Sequence, residues 1–185
     1  MSASLRNHFL IAMPGMEDPH FAHSITYLCE HSGEGAMGLV VNRALELCYD
    51  EIFDHLAVGD FLRGNDTRVL AGGPVKTDRG FVLHRSSARQ WHSTLSLSEE
   101  ISLTTSRDIL EAMAHGEGPR DALVALGYAG WGPGQLEREI AANAWLTLPA
   151  EASVLFEVPL ERRARVAALQ LGINLDLLSS TCGTA

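Results

Sequence analysis

No apolar run in this sequence approaches the length of a membrane span. Gly35 to Val41 is the longest stretch that resembles one, and Phe9 to Met13, before Pro14, is too short for a signal-peptide core. Neither a membrane association nor secretion is expected. Cysteine is scarce as well: Cys29, Cys48 and Cys182 are odd in number and far apart, with no C-x-x-C pair, which argues against a disulfide scaffold and for a reducing compartment. The cytoplasm is the simplest location. Positive charge is also short. The 14 Lys and Arg against 23 Asp and Glu give a net charge of −9 and a pI near 5.3. That balance works against the phosphate contacts that supply most non-specific DNA affinity. The only basic cluster, Arg162, Arg163 and Arg165, has Glu157 and Glu161 beside it and reads as the solvated outer face of a helix. No segment orders two adjacent helices as a helix-turn-helix requires, so direct nucleic-acid binding is disfavoured.

Also missing are a linker, an internal repeat and a low-complexity segment, so residues 1–185 are expected to form one domain. Hydrophobic residues at 46% and charged residues at 20% allow a sizeable core, with fraying expected only at Met1 to Ser4 and Ser179 to Ala185. There is no G-x-S-x-G elbow, no P-loop and no H-E-x-x-H.

What is present is a strand-rich pattern. His8 to Met13 reads as a strand ended by Pro14-Gly15, and Asp18-Pro19 opens one short helical turn. Ile25 to His31 alternates, which puts Ile25, Tyr27, Cys29 and His31 on one face. Gly33-Glu34-Gly35 turns it into a second, mostly apolar strand, Ala36 to Asn42, making a central hairpin. A short helix over Asp50 to Leu56, then a polar, exposed loop over Gly59 to Thr67, follow. Val69 to Ala71, Gly80 to His84, Ser93 to Leu97 and Ile101 to Thr104 read as a meander, with Asp78-Arg79-Gly80 as turn chemistry. Thr105 and Asp108 have capping-box spacing before a helix carrying Ile109, Leu110 and Met113. Trp145 to Leu148 and Val154 to Glu157 read as strands, and Pro159 opens a last helix ended by Gly172.

The densest signal is Ala125 to Trp145. A short apolar run meets Gly127, Gly130, Gly132, Pro133 and Gly134, and Gln135 then opens an amphipathic helix with Leu136 and Ile140 inward and Glu137, Arg138 and Glu139 outward. A glycine bend before a helix can receive an anion. It can equally let backbones pack closely around Tyr128 and Trp131, and that reading ranks first. The match to G-x-G-x-x-G is partial, because position 135 is Gln and Pro133 has no N–H. His20, His23, Cys29 and His31 offer zinc-compatible side chains, which His84 could join, but their spacing fits no short zinc motif; no metal and no cofactor are assigned. Cys29 with His31 or His84 is the pair a thiol enzyme would use. Structural roles rank ahead of it, and no catalytic residue is assigned.

Three stretches carry a likeness to a known family. They are HFLIAMPGMEDPHFAHSITYLCEHSGEGAMGLVVNR from His8 to Arg43, GGPV from Gly72 with GFVLH from Gly80, and GYAGWGPGQLEREIAANAW from Gly127 to Trp145. Over nearly its whole length the chain resembles the YqgE/AlgH family of bacterial proteins. The resemblance implies an α+β fold, a branched and mostly antiparallel sheet with a barrel-like part surrounded by helices. The family is commonly labelled a transcriptional regulator, through a genetic link to alginate control, and the likeness carries over no catalytic residue, cofactor or ligand. The reading is therefore a non-enzymatic regulatory or ligand-binding protein, its partner a small molecule or another protein. The expected site combines Met13, Pro14 and Gly15, the strand end at Cys29, Glu30 and His31, and the bend with Tyr128, Gly130, Trp131, Gly132, Gly134 and Gln135. The alternatives are direct regulation on DNA and a small thiol or hydrolytic enzyme.

Overall fold

The first forty residues form three neighbouring strands. The computed structural model describes residues 3–181, with side chains to 178. Strand β1 (His8–Ala12) lies between β2 (Ile25–Ser32) and β10 (Trp145–Pro149), antiparallel to both. The β2 hairpin returns as β3 (Gly35–Val40), which pairs with the end of β9 (Ala122–Trp131). The other edge of β9 carries β6 (Val75–Arg85), then β8 (Ile101–Thr104) and β7 (Thr94–Ser96), all antiparallel. Strand β5 (Arg68–Ala71) joins β9 in parallel and pairs with β4 (Ala44–Cys48). One edge of β9 thus serves β5 at Ala125 and Leu126 and β3 at Ala129 to Trp131, and the sheet branches between them.

Glycine makes that branch possible. The N–H of Gly72 donates to Leu126 O, its carbonyl accepts from Val40 N–H, and a Cβ on Gly72 would stand 2.3 Å from Gly127 O. Gly127, at φ 77°, is not the start of a bend but the middle of a strand, and the turn comes only at Gly132 to Gly134. The GGPV and GYAG segments are thus two sides of one junction in which backbone meets backbone.

Helices cover three apolar clusters. Phe9, Ile25, Tyr27, Leu39, Phe81 and Leu103 line the concave face, closed at one end by α4 (Ala152–Phe156) and α5 (Arg163–Gln170). Helices α1 (Tyr49–Leu56) and α2 (Arg107–Ala114) set Phe53 and Ile109 against Val69, Val82 and Val124. Helix α3 (Gln135–Ala141) sets Leu136 against Leu10, Leu28 and Trp145. A last helix, α6 (Leu175–Thr181), follows α5. The ends expected to fray lie partly outside the described residues, as does Cys182; Ser4 Oγ donates to His31 O.

Several elements differ from the sequence expectation. Val154 to Phe156, within the strand expected over Val154 to Glu157, is helical: Ala152, Val154 and Leu155 of α4 are buried against the end of the curled sheet, and so short an apolar run does not tell the two apart. Asp78-Arg79-Gly80 is no turn but part of β6, which bulges between the Val75–Tyr128 and Gly80–Leu126 pairs. Ser106, not Thr105, is the N-cap of α2. Arg163 is buried rather than on a solvated face.

Candidate functional site

The open end of the curled sheet, opposite α4 and α5, holds a groove of about 820 Å³ whose walls include Glu30, Met37, Arg79, Phe81, Thr94 and Tyr128. A bulge aims Glu30 into it. Leu28 pairs with Gly38 and Glu30 with the next residue, Met37, so Cys29 is the extra residue of β2. The face alternation then reverses. Cys29 lies in the concave-face core and Glu30 reaches the groove on that same side, whereas His31 turns to α3. The expected shared face of Cys29 and His31 is therefore broken by the bulge.

The rest of the groove is built from β9 and β6. The Tyr128 ring meets Phe81 edge-on at 5.9 Å, and the Arg79 guanidinium lies 5.3 Å from the Phe81 centroid. Among the described residues neither Glu30 nor Arg79 has an ion-pair partner. Val75 and Leu95, exposed at 36% and 43%, put apolar surface on the rim. Gly130 and Trp131 also border the groove, and a recess of about 500 Å³ continues it past Glu30 to Arg6 and His31.

The remaining expected residues have other partners. His31 Nδ1 accepts from Leu5 N–H at 2.8 Å, which leaves the ring proton on Nε2 to donate to Glu137 at 2.6 Å. That bond holds the Glu137 carboxyl below its ordinary range. The Trp131 indole stacks on Phe21 and, with the Trp145 indole, donates to Glu139. Glu137 and Glu139, expected as a solvated face, thus fasten α3 to the sheet. Gly132 N–H donates to Gln135 Oε1, and Gly134 caps α3 at φ 71°. The bend amide is already spent within the bend, so Gly132, Gly134 and Gln135 serve its geometry. Met13, Pro14 and Gly15 follow β1 at the end of the hairpin away from Cys29, and Pro14 borders a separate recess of about 170 Å³. The groove therefore unites Glu30, Tyr128, Gly130 and Trp131 and leaves Met13 to Gly15 outside.

Arg79, Phe81, Met37 and Thr94 were not among the expected site residues. Charge beside Gly80 reads as turn chemistry, and only the pairing partners of β6 show that Arg79 and Phe81 face the groove. The Asn42-Arg43 pair acts structurally. Arg43 donates to the carbonyls of Pro19, His20 and Ala22, and Asn42 donates to His23 O, so together they hold the loop after β1.

The thiol and imidazoles are not arranged as a nucleophile and base. Cys29 is fully buried and burial pushes its thiol pKa up. His84 is buried too, with Nδ1–H donating to Arg85 O and Nε2 accepting from Thr104 Oγ1 at 2.7 Å; burial pulls its pKa down. Cys29 should alkylate far more slowly than the half-buried Cys48 in native protein, as read by mass spectrometry of iodoacetamide adducts. Cys29→Ser should cost about 1–2 kcal/mol for burying a hydroxyl in an apolar site. Faster labelling at Cys29 than at Cys48 would restore the thiol-enzyme reading.

The AlgH-like family model matches residues 9–176. The chain belongs to the AlgH-like family. A UPF0301 protein of Thioalkalivibrio sulfidiphilus is 54% identical over 184 residues, covering 100% of this chain and 98% of that relative. A UPF0301 protein of Saccharophagus degradans is 53% identical, over 98% of this chain and 89% of the relative. The solution structure of AlgH from Pseudomonas aeruginosa is similar at a TM-score of 0.80 and 48% identity, covering 100% of this chain and 99% of that one. A Corynebacterium diphtheriae protein shares the fold at a TM-score of 0.75 and 19% identity, over 97% and 93% of the two chains. The AlgH-like fold is thus the expected α+β arrangement, with the branch of its mostly antiparallel sheet at the Gly72–Gly127 junction.

Proposed function

We propose that this AlgH-like protein is a non-enzymatic, cytoplasmic ligand-binding protein with a regulatory output, and that its ligand occupies the groove at the open end of the curled sheet. One observation carries the reading: an aromatic wall, Phe81 and Tyr128, stands in the same groove as a carboxylate and a guanidinium that have no ion-pair partner among the described residues. A built pocket of this kind, mostly apolar with a few convergent polar groups, is the usual form of a small-molecule site. The two opposite charges suit a zwitterion with an apolar body, such as an aromatic amino acid or a short peptide. Cys29 and Cys48, the cysteines of the described residues, are free, which fits a reducing compartment. Direct DNA binding finds little support, since Arg163 is buried and Arg165 pairs with Asp176 at 3.2 Å, which dismantles the one basic cluster.

The test is calorimetric titration with phenylalanine, tyrosine and their dipeptides, beside thermal melts at millimolar ligand. Binding is expected for at least one zwitterion, and Glu30→Gln should weaken it by about tenfold, the loss of one charge-assisted hydrogen bond. Tyr128→Ala should remove the aromatic contact and weaken it comparably. A full panel without heat or melting shift, or binding unaltered in both variants, would refute the groove as the site.

A further inference from the structure

The β6 bulge has two sides. Arg79 faces the groove just described, and Asp78, its neighbour, faces a second cavity of about 540 Å³ across the sheet, bounded by α1, α2 and the β6–β9 pair. Leu47, Ile52, Leu56, Val82, Leu110 and Leu126 give this second cavity a largely apolar lining. Protein interiors leave few voids larger than a water molecule, and folding would ordinarily collapse two small helices onto such a floor. Here a cavity remains between the two helices and the sheet. Arg107 bridges its rim, donating to Leu56 O at the end of α1 while its Nε donates to Glu111 at 2.8 Å. Gly80 contributes no side chain to the floor, where an added Cβ would meet nothing nearer than Leu126 Cδ2 at 3.9 Å.

The charges on the rim select among ligands. Arg107 is neutralised by Glu111, whereas the Glu51 carboxylate, accepting from the N–H of the α1 cap residue Cys48 at 2.8 Å, has no ion-pair partner among the described residues. Asp78 has no ion-pair or hydrogen-bond partner among the described side chains, which makes the uncompensated charge at this mouth negative. We propose that this cavity between α1 and α2 is a second binding site, for an amphipathic amine whose aliphatic body fills the apolar space and whose ammonium group pairs with Asp78. The site is independent of the groove and stands or falls separately.

Octylamine, octanoate and octanol, used below their aggregation limits, separate body from head group. In the full chain, octylamine should raise the melting temperature and bind about tenfold tighter than octanol, with octanoate weakest, as one charge-assisted contact predicts. Asp78→Asn should reduce octylamine to the level of octanol without changing the melting temperature of the free protein. Methyl NMR places the ligand: octylamine should shift the Val82, Leu110 and Leu126 methyl resonances and leave those of Val75 and Leu95, at the groove, in place. Gly80→Val should fill the floor and abolish the shifts; if that variant does not fold, the methyl map of the wild type decides. Octanoate binding as tightly as octylamine, an amine preference surviving in Asp78→Asn, or methyl shifts confined to the groove would each overturn the proposal.

Discussion

Gly73→Ala is expected to destabilise the fold by about 2–4 kcal/mol or more. Gly73 sits at φ 156°, and a Cβ there would lie 2.1 Å from Tyr128 C and 2.2 Å from Tyr128 O. Those are backbone atoms of β9, so no rotamer change relieves the overlap; the strand that carries both the groove and the branch must move. Positive-φ strain of about 1 kcal/mol adds to overpacking of about 1–3 kcal/mol or more, against a total stability of roughly 5–15 kcal/mol. Gly132→Ala is the matching control. Gly132 is absent from the positive-φ glycines, and its added Cβ would meet only Gln135 Oε1 at 3.9 Å, so a change within about 0.5 kcal/mol is expected. Urea unfolding of the pair checks this. Equal midpoints for the two variants would mean that the junction of Gly73 and Tyr128 gives way easily, and the account of the branch would fall.

Arg163→Ala should be the next most damaging change. The arginine is 7% exposed, and burial holds its pKa below the ordinary guanidinium range. Its Nη1 donates to Val41 O, beyond the end of β3, and its Nε to Val158 O at 3.2 Å, so one side chain ties α5 to the sheet and to the loop after α4. No carboxylate lies in ion-pair range among the described residues. Removing the donors strands a buried carbonyl at about 1–3 kcal/mol, and losing the packed stem adds a cavity, so roughly 3 kcal/mol in all is expected. Arg163→Met keeps the stem and loses only the donors. It should fall between the wild type and Arg163→Ala in chemical denaturation, and a Met variant as stable as the wild type would show that these hydrogen bonds contribute nothing net.

Much of the fold was legible because its periods are local. The apolar run of His8 to Ala12 ended by Pro14-Gly15, the two-residue period begun at Ile25, glycine at the hairpin turn, and the spacing of Ile109 and Met113 need only near neighbours to express them. Family membership was legible for a related reason: the segments that carry it, GGPV and GYAG among them, include positions where only glycine fits. Val154 misled because a three-residue apolar run satisfies either period, and its helix packs against the end of the curled sheet.

The sequence by itself determined the strand-rich α+β composition, the acidic surface balance, the kinship and the presence of Glu30, Tyr128, Gly130 and Trp131 among the residues worth following. Tertiary structure alone decided which of them meet. Two bulges did it, one adding Cys29 to β2 and one lengthening β6 before Gly80; the first, set by pairing with β3, reverses which face the next side chains occupy, and the second is specified by the register of β9, far along the chain. The charges of Arg163, Glu137 and Glu139 likewise mark them as surface residues until folding brings the carbonyl, imidazole and indoles that pair with them into reach.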